Sequence, residues 1–428
     1  MNKVFFYALA ASSLALGACT NDSNVDENGN EQGNALQQIT LQVASSGDGM
    51  TTRAGRELES SEATQDINKV QVLVCTTDGT IKYTKTLDNW NGDGSEVYTT
   101  GGHGRQATFT IPTENHLSAG TYKVYAIGYS DDSDYDLSAI TSAAIGGTFN
   151  ENTVLKYKED GGKKAEEIFA GEASYTVEEG VKATGTVILN RQVAGTFGYV
   201  EDIPYVDGAT KLQLVASTSN SELVLGQFAN FELTSNGTNN TQNVKYVVNG
   251  NNSANNVVVY TINLNDWFTA LKDEKDANGN DGADGLIDID NWKTEGHDYY
   301  KKGSVFAGSF IIPFAKTEGQ TFTLQLVKDD NSVVRSWNVN LPEGDGQLAE
   351  HSVSTWNGTS FATTTVTDTK SAYSVVRNHL YGIGTRMSAK PAQPGTDPGD
   401  KPESLKKAQN ITLRVNDNWE VIHNMELE

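Results

Sequence analysis

The sequence predicts an all-β protein, and three observations carry that expectation. Short apolar runs alternate with turns rich in Gly, Asn, Ser and Thr, which is the spacing of strands and hairpins. Where a run is long enough to show a period, the period is two, most clearly over the last eighteen residues. The chain has 428 residues, enough for two domains of ordinary size, and its mean hydropathy of −0.46 belongs to a soluble protein with modest cores.

The net charge of −23 excludes some partners. Nucleic acid needs Lys and Arg against its phosphates, so no nucleic-acid partner is expected. A direct electrostatic grip on anionic membranes is excluded in the same way. A self-repelling acidic surface suits an exposed protein that must not aggregate before it assembles.

In chain order, Lys3, the largely apolar run from Val4 to Leu16 and the small residues Gly17 and Ala18 make residues 1–18 a secretory signal. The run is too short for a membrane-spanning helix. Leu16-Gly17-Ala18-Cys19 resembles a bacterial lipobox, in which Cys19 carries lipid and becomes the new N-terminus. The plainer alternative is an ordinary signal with an incidental cysteine. Residues 20–35 are polar and Gly-rich without apolar period, a tether from the lipid to the body. A first strand follows, with Ile39, Leu41 and Val43 on one face. Residues 45–61 form a polar loop holding Arg53, Ala54 and Arg56. Such loops are where proteases cut, and a cut there leaves the first strand free to dissociate. A plain loop that happens to hold arginines is the alternative.

Strands are expected at 69–75 and 80–85 around a Thr77-Asp78-Gly79 turn, then at 106–111, 121–129 and 185–189. Cys75 lies in the first of these as a small buried hydrophobe. With Cys19 lipidated, no disulfide framework exists. Residues 165–171 are too short a pattern to assign. The domain boundary is placed at Asn190–Ala194, between two strand patterns, giving domains at 54–190 and 191–388. The second half offers strands at 211–217, 222–226, 257–264, 304–312, 321–327, 333–341 and 373–385, with an Asp329-Asp330-Asn331 turn and a short helix over 265–276. Pro391, Pro394, Pro398 and Pro402 make residues 389–404 an extended spacer, expected to release the segment 405–428 from its own body.

That terminal segment is a long one-faced strand. Ile411, Leu413, Val415, Trp419, Val421, Met425 and Leu427 are the apolar face, and such a strand needs a sheet to complete. Ile411-Thr412-Leu413-Arg414-Val415 repeats Ile39-Thr40-Leu41-Gln42-Val43 at four of five positions, and the amides Asn410 and Gln38 precede them. Two strands with one face pattern fit one slot, so the C-terminal strand of one molecule is expected to replace the N-terminal strand of the next. Chance resemblance between two amphipathic strands is the alternative.

Asp276, Asn278 and Asn280, with Asp288 beyond, form a candidate calcium loop, because oxygen ligands at alternate positions suit a hard cation. An EF-hand requires Gly at the sixth position, where Asp281 stands, so a solvated acidic turn is the stronger reading. The histidines lack metal spacing. No nucleophile elbow, zincin motif or dinucleotide fingerprint is present, so no enzyme activity and no cofactor beyond that calcium are expected.

Together the lipobox, Thr52-Arg53-Ala54, Val375-Val376-Arg377-Asn378-His379-Leu380-Tyr381 and Asp417-Asn418-Trp419-Glu420-Val421 resemble the Bacteroidales fimbrillins, the type V pilins, with the layout of a minor-fimbriae shaft subunit. The resemblance implies two transthyretin-like β-sandwich domains, a lipoprotein prosegment over 19–53 and a C-terminal donor strand. It further implies removal of the first strand by an Arg-specific protease, at Arg53–Ala54 first and Arg56 second. The groove is then filled by another copy, head-to-tail. Fimbrial anchor and tip subunits and host or bacterial receptors are the implied partners. A surface fimbrium is the implied location, its precursor reaching the outer membrane by its lipid alone. Tip subunits tend to lack a free donor strand, and this chain keeps one. The alternatives are a monomeric surface lipoprotein that binds glycan or host protein through aromatics such as Trp90, Trp292 and Trp356, and an anchor or accessory subunit.

Overall fold

The computed structural model describes residues 35–43, 67–97, 105–159, 163–228, 231–236, 239–273, 285–315, 321–341, 351–366, 374–386, 395–396, 399–406 and 410–416. Over these the chain is β-rich, as expected.

The first half contributes β1 (Gln37–Val43), β2 (Lys69–Thr76), β3 (Ile81–Leu87), β4 (Glu96–Val97), β5 (Arg105–Thr110), β6 (Gly120–Tyr129), β7 (Val154–Lys156), β8 (Phe169–Val177) and β9 (Ala183–Arg191). Eight of these follow the order β3-β2-β6-β8-β9-β1-β5-β4. Between β8 and β9 the ladder is reduced to Phe169 opposite Arg191 and Ala170 opposite Asn190. The sheet folds over at this corner, so that Val70, Val72 and Val74 of β2 share a core with Ile39, Leu41 and Val43 of β1. The turn from β2 to β3 is built as its residues require: Gly79 holds a φ of +87° and donates its N–H to Thr76 O.

β2 is a continuous apolar run because both its faces are buried. Its other face carries Leu73 and Cys75 into a second cluster, shared with Tyr125 and Ile127 and with Phe197, Tyr199, Leu223 and Phe310 from beyond residue 194. Burial pushes the Cys75 thiol up to about 11, so it serves there as a hydrophobe.

The second half contributes β10 (Ala194–Glu201), β11 (Ala209–Val224), β12 (Phe231–Asn236), β13 (Asn239–Val248), β14 (Gly250–Asn263), β15 (Val305–Ile311), β16 (Phe322–Lys328), β17 (Val333–Asn340), β18 (His351–Trp356), β19 (Phe361–Val366), β20 (Leu380–Ile383), β21 (Glu403–Ser404), β22 (Asn410–Thr412) and β23 (Arg414–Asn416). One sheet runs β15-β10-β20-β23, with β21 also on β10. The facing sheet runs β14-β11-β16-β17-β22, with β7 from the first half also on β11. Val200, Tyr381 and Ile383 from the one meet Leu212, Leu324 and Trp337 from the other in a common core. A further sheet runs β12-β13-β18-β19.

Several elements differ from the sequence reading. The two strands expected at 211–217 and 222–226 are one 16-residue strand, because the polar stretch between them stays in register with β14. The expected helix over 265–276 is a single turn, Leu264–Trp267. Phe268 leaves it in extended conformation, is buried, and forms a backbone bridge with Trp292, so a pairing remote in sequence overrides helical spacing. The strand expected over 373–385 shortens to β20, since Asn378 takes a φ of +57° and breaks the run before it.

The 190–194 region is a buried polar junction. Arg191 and Glu167 pair at 2.6 Å, each side chain 1% exposed, and the guanidinium lies over the Phe169 ring. Arg377 donates to Gln192 Oε1 and Gly226 O at 3.0 Å, and Asn378 N–H donates to Val193 O at 2.8 Å. Removing one partner of such a pair strands a buried charge, whereas replacing both with apolar residues does not. Glu167→Ala is therefore expected to destabilise the protein by ~3–5 kcal/mol, and Glu167→Leu with Arg191→Met by far less. Urea denaturation monitored by tryptophan fluorescence checks both; a Glu167→Ala loss as small as the double variant's would contradict the pairing.

Candidate strand-exchange site

The site is the slot that β1 fills. β1 runs antiparallel to β5, with Gln38 opposite Thr110 and Val43 opposite Arg105, and parallel to β9, with Gln37 opposite Ala183 and Val43 opposite Leu189. Both edges of its backbone are thus paired, over six residues against β5 and seven against β9. Neither neighbour is its hairpin partner. The residues that follow β1 in sequence reappear at Ile67 and lead into β2, which lies on the other side of the sandwich between β3 and β6. A break anywhere in residues 44–66 therefore leaves β1 with no covalent tie to the walls that hold it.

The alternation of the sequence decides the fit. Ile39, Leu41 and Val43 are each 0% exposed, and they lie in the core with Phe109, Val187 and Leu189. Thr40 and Gln42 point outward, Thr40 Oγ1 meeting Thr108 Oγ1 at 2.9 Å and Gln42 Nε2 donating to Gln106 Oε1 at 3.5 Å. The slot also has a polar end. Gln37 is buried, its Nε2 donates to Leu117 O at 2.9 Å, and its Oε1 accepts from Leu117 N at 2.9 Å. Sequence reasoning missed this contact, since an isolated glutamine carries no sign of a partner 80 residues away.

The C-terminal segment is placed otherwise than expected. Leu405 is fully buried, its N–H donating to Glu201 O, and Trp337 Nε1 donates to Leu405 O at 3.3 Å. β22 pairs in parallel with β17, Val339 opposite Ile411. β23 pairs antiparallel with β20, Tyr381 opposite Val415. Ile411 and Leu413 are 2% and 1% exposed, while Thr412 and Arg414 face solvent. The expected release of this segment by the proline-rich spacer is thus not met over residues 399–416. Nor is it one long strand there: the chain crosses between facing sheets at Leu413, whose N–H donates to Asn340 O. The physical reason is the same greasy face, which fits its own second sandwich with one edge paired at a time.

The remaining predicted positions separate into two groups. Cys19, Arg53, Ala54, Arg56, Asp276, Asn278, Asn280, Trp419, Val421, Met425 and Leu427 lie outside the described residues. Asp288 is described, and its carboxylate caps a short 3-10 turn, accepting from Asp290 N at 2.9 Å and Asn291 Nδ2 at 3.1 Å. Among the described residues no group of three or more metal-ligating side chains gathers. Trp90 and Trp292 are buried rather than displayed, Trp292 Nε1 donating to Ser304 O. The His297 ring lies tilted against Trp267 with centroids 4.0 Å apart, and burial lowers its pKa.

No protein-family model matches the chain, and no curated protein sequence matches it. Among solved structures it is similar to a candidate adhesin from Bacteroides ovatus, 14% identical with a TM-score of 0.38, over 80% of this chain and 95% of that one. It is similar to the fimbrial anchor protein Mfa2 from Porphyromonas gingivalis, 11% identical with a TM-score of 0.34, over 80% and 100%. It is also similar to the C-terminally truncated tip fimbrial protein Mfa3 from the same organism, 12% identical with a TM-score of 0.35, over 89% and 98%. Likeness at these scores assigns neither family nor function, and the slot and its strand stand on this chain's own geometry.

Proposed function

We propose that this chain is a structural subunit of a surface fimbrium and that copies join by exchanging strands at the β1 slot. The precursor is exported, held at the outer membrane by lipid on Cys19, and cut after Arg53 or Arg56. β1 then leaves, and the segment beginning near Ile411 of another copy enters between β5 and β9. The filament so formed supports adhesion and biofilm formation, with anchor and tip subunits at its ends. The protein works as a polymer unit rather than an enzyme.

One observation carries this reading: a buried strand is held between two sequence-remote neighbours, and the chain repeats that strand's pattern near its other end. Emptying the slot exposes backbone groups that cost about 1–3 kcal/mol each when left unpaired and buried. Each large apolar side chain that refills it returns roughly 1.5–3 kcal/mol. In its own body the segment pairs one edge at a time over three residues in β22 and three in β23. In the slot both edges pair at once, over six and seven residues, as they do for β1. Transfer to a neighbour is therefore favourable once β1 has gone and unfavourable before. Because donor and slot are different surfaces, the contact is head-to-tail and propagates as an open filament.

The docking of Leu405 to Asn416 on its own body favours a second reading, a surface lipoprotein that stays monomeric and binds glycan or host protein, or an anchor or accessory subunit. Deletion of residues 411–428 separates the two. A fimbrial subunit loses its ladder of oligomers on unboiled gels, whereas a monomeric binder keeps its ligand binding and has no ladder to lose. Arg53→Ala with Arg56→Ala is expected to trap the precursor as a monomer. Polymer persisting at parental levels in that variant, read by the same gels, would count against arginine-directed processing.

A further inference from the structure

The polar end of the slot does more than satisfy a glutamine. We infer that Gln409 of an incoming copy sets the register of the exchanged strand by repeating the Gln37 amide pair with the Leu117 main chain, an inference that rests on the exchange reading above. Gln409 lies outside the described residues and enters by sequence position: it stands two residues before Ile411, as Gln37 stands two before Ile39.

An alternating strand is ambiguous in one specific way. A slip of one residue turns Ile411 and Leu413 out to solvent and is excluded by the buried face. A slip of two keeps that face inward, and Ile, Leu and Val are close enough in size to trade places. The apolar pattern alone therefore admits several registers, and polar residues must choose among them.

The choice is made from both directions. Slipped one way, Gln409 enters the place of Ile39, which is 0% exposed among apolar neighbours, and Lys407 replaces Gln37 beside Leu117. Slipped the other way, Asp417 enters the fully buried place of Val43, and Ile411 arrives at Leu117, where it offers neither donor nor acceptor. Each slip leaves a polar group buried without its partner. Only the register with Gln409 in the place of Gln37 pairs both the N–H and the C=O of Leu117.

Disulfide trapping between processed copies, cut after Arg53 or Arg56, reads the register. Thr40 stands opposite Thr108, Gln38 opposite Thr110 and Gln42 opposite Gln106, with Thr108 and Thr110 exposed. A donor chain carries Thr412→Cys, in the place of Thr40, and acceptor chains carry Thr108→Cys, Thr110→Cys or Gln106→Cys. With Gln409 present, the bond between positions 412 and 108 is expected to dominate. Gln409→Leu extends the apolar face by one position, and it is expected to raise the 412–106 product relative to 412–108 by about tenfold or more. Unchanged dominance of 412–108 in Gln409→Leu would overturn the register role and leave strand exchange standing. Polymer that forms none of the three bonds would overturn strand exchange itself. If Thr412→Cys blocks assembly, Asn410→Cys takes its place: opposite Thr110→Cys it reports the proper register, and opposite Thr108→Cys the slip that carries Gln409 inward.

Discussion

The structure depends on a strand whose binding energy and chain connection have been separated. β1 is held on both edges and along one face by groups from β5, β9 and the core beneath them, none of which adjoins it in sequence. In a hairpin, the turn would keep a strand at high local concentration beside its partner. Here the tie runs instead through residues 44–66 to a strand in the opposite layer. Such an arrangement is stable while intact and becomes replaceable when the tie is broken. The slot that remains is specified by length, by alternation and by the Leu117 main chain at its end.

The second sandwich shows the same strand chemistry in its resting form. β22 lies parallel to β17 as β1 lies parallel to β9, with isoleucine inward in each. Residues 410–416 are held there with about half the backbone pairing that β1 enjoys. Under the proposed exchange, that inequality would give transfer a direction. A donor that stayed fully exposed would present a long greasy edge before assembly, the hazard that edge strands carry. A donor bound as tightly at home as abroad would never leave. The polar junction at Arg191, Glu167 and Arg377, together with β7 crossing to β11, ties the two halves together.

Much of this was legible in the sequence, and what was missed has physical causes. Short apolar runs located β2, β6 and β16 to within a residue or two, because each buries most of its side chains and has a turn of Asp, Asn or Gly beside it. The alternation of Ile39, Leu41 and Val43 gave the buried face of β1 correctly. β10 and β8 escaped notice, because Gly195, Gly198 and Gly171 interrupt their apolar pattern, Gly171 where Ile188 O and Gly198 where the Tyr260 hydroxyl approach closely. The helix over 265–276 was a failure of local reasoning, since Phe268 is claimed by Trp292 across the fold. The role of Gln37 went unread because hydrogen-bond partners remote in sequence leave no local signature. The self-docking of Leu405, Ile411 and Leu413 was missed for a related reason: a one-faced strand reveals that it needs a sheet, not whose sheet it takes.

The most direct test is a cryo-electron microscopy map of the assembled, processed polymer at side-chain resolution, asking which residues lie between β5 and β9. The account predicts continuous density arriving from an adjoining copy, with Ile411 and Leu413 in the places of Ile39 and Leu41 and the Trp419 ring further along the same strand. A map in which residues 37–43 of the same chain still fill the slot, with residues 410–416 resting on β17 and β20, would contradict it.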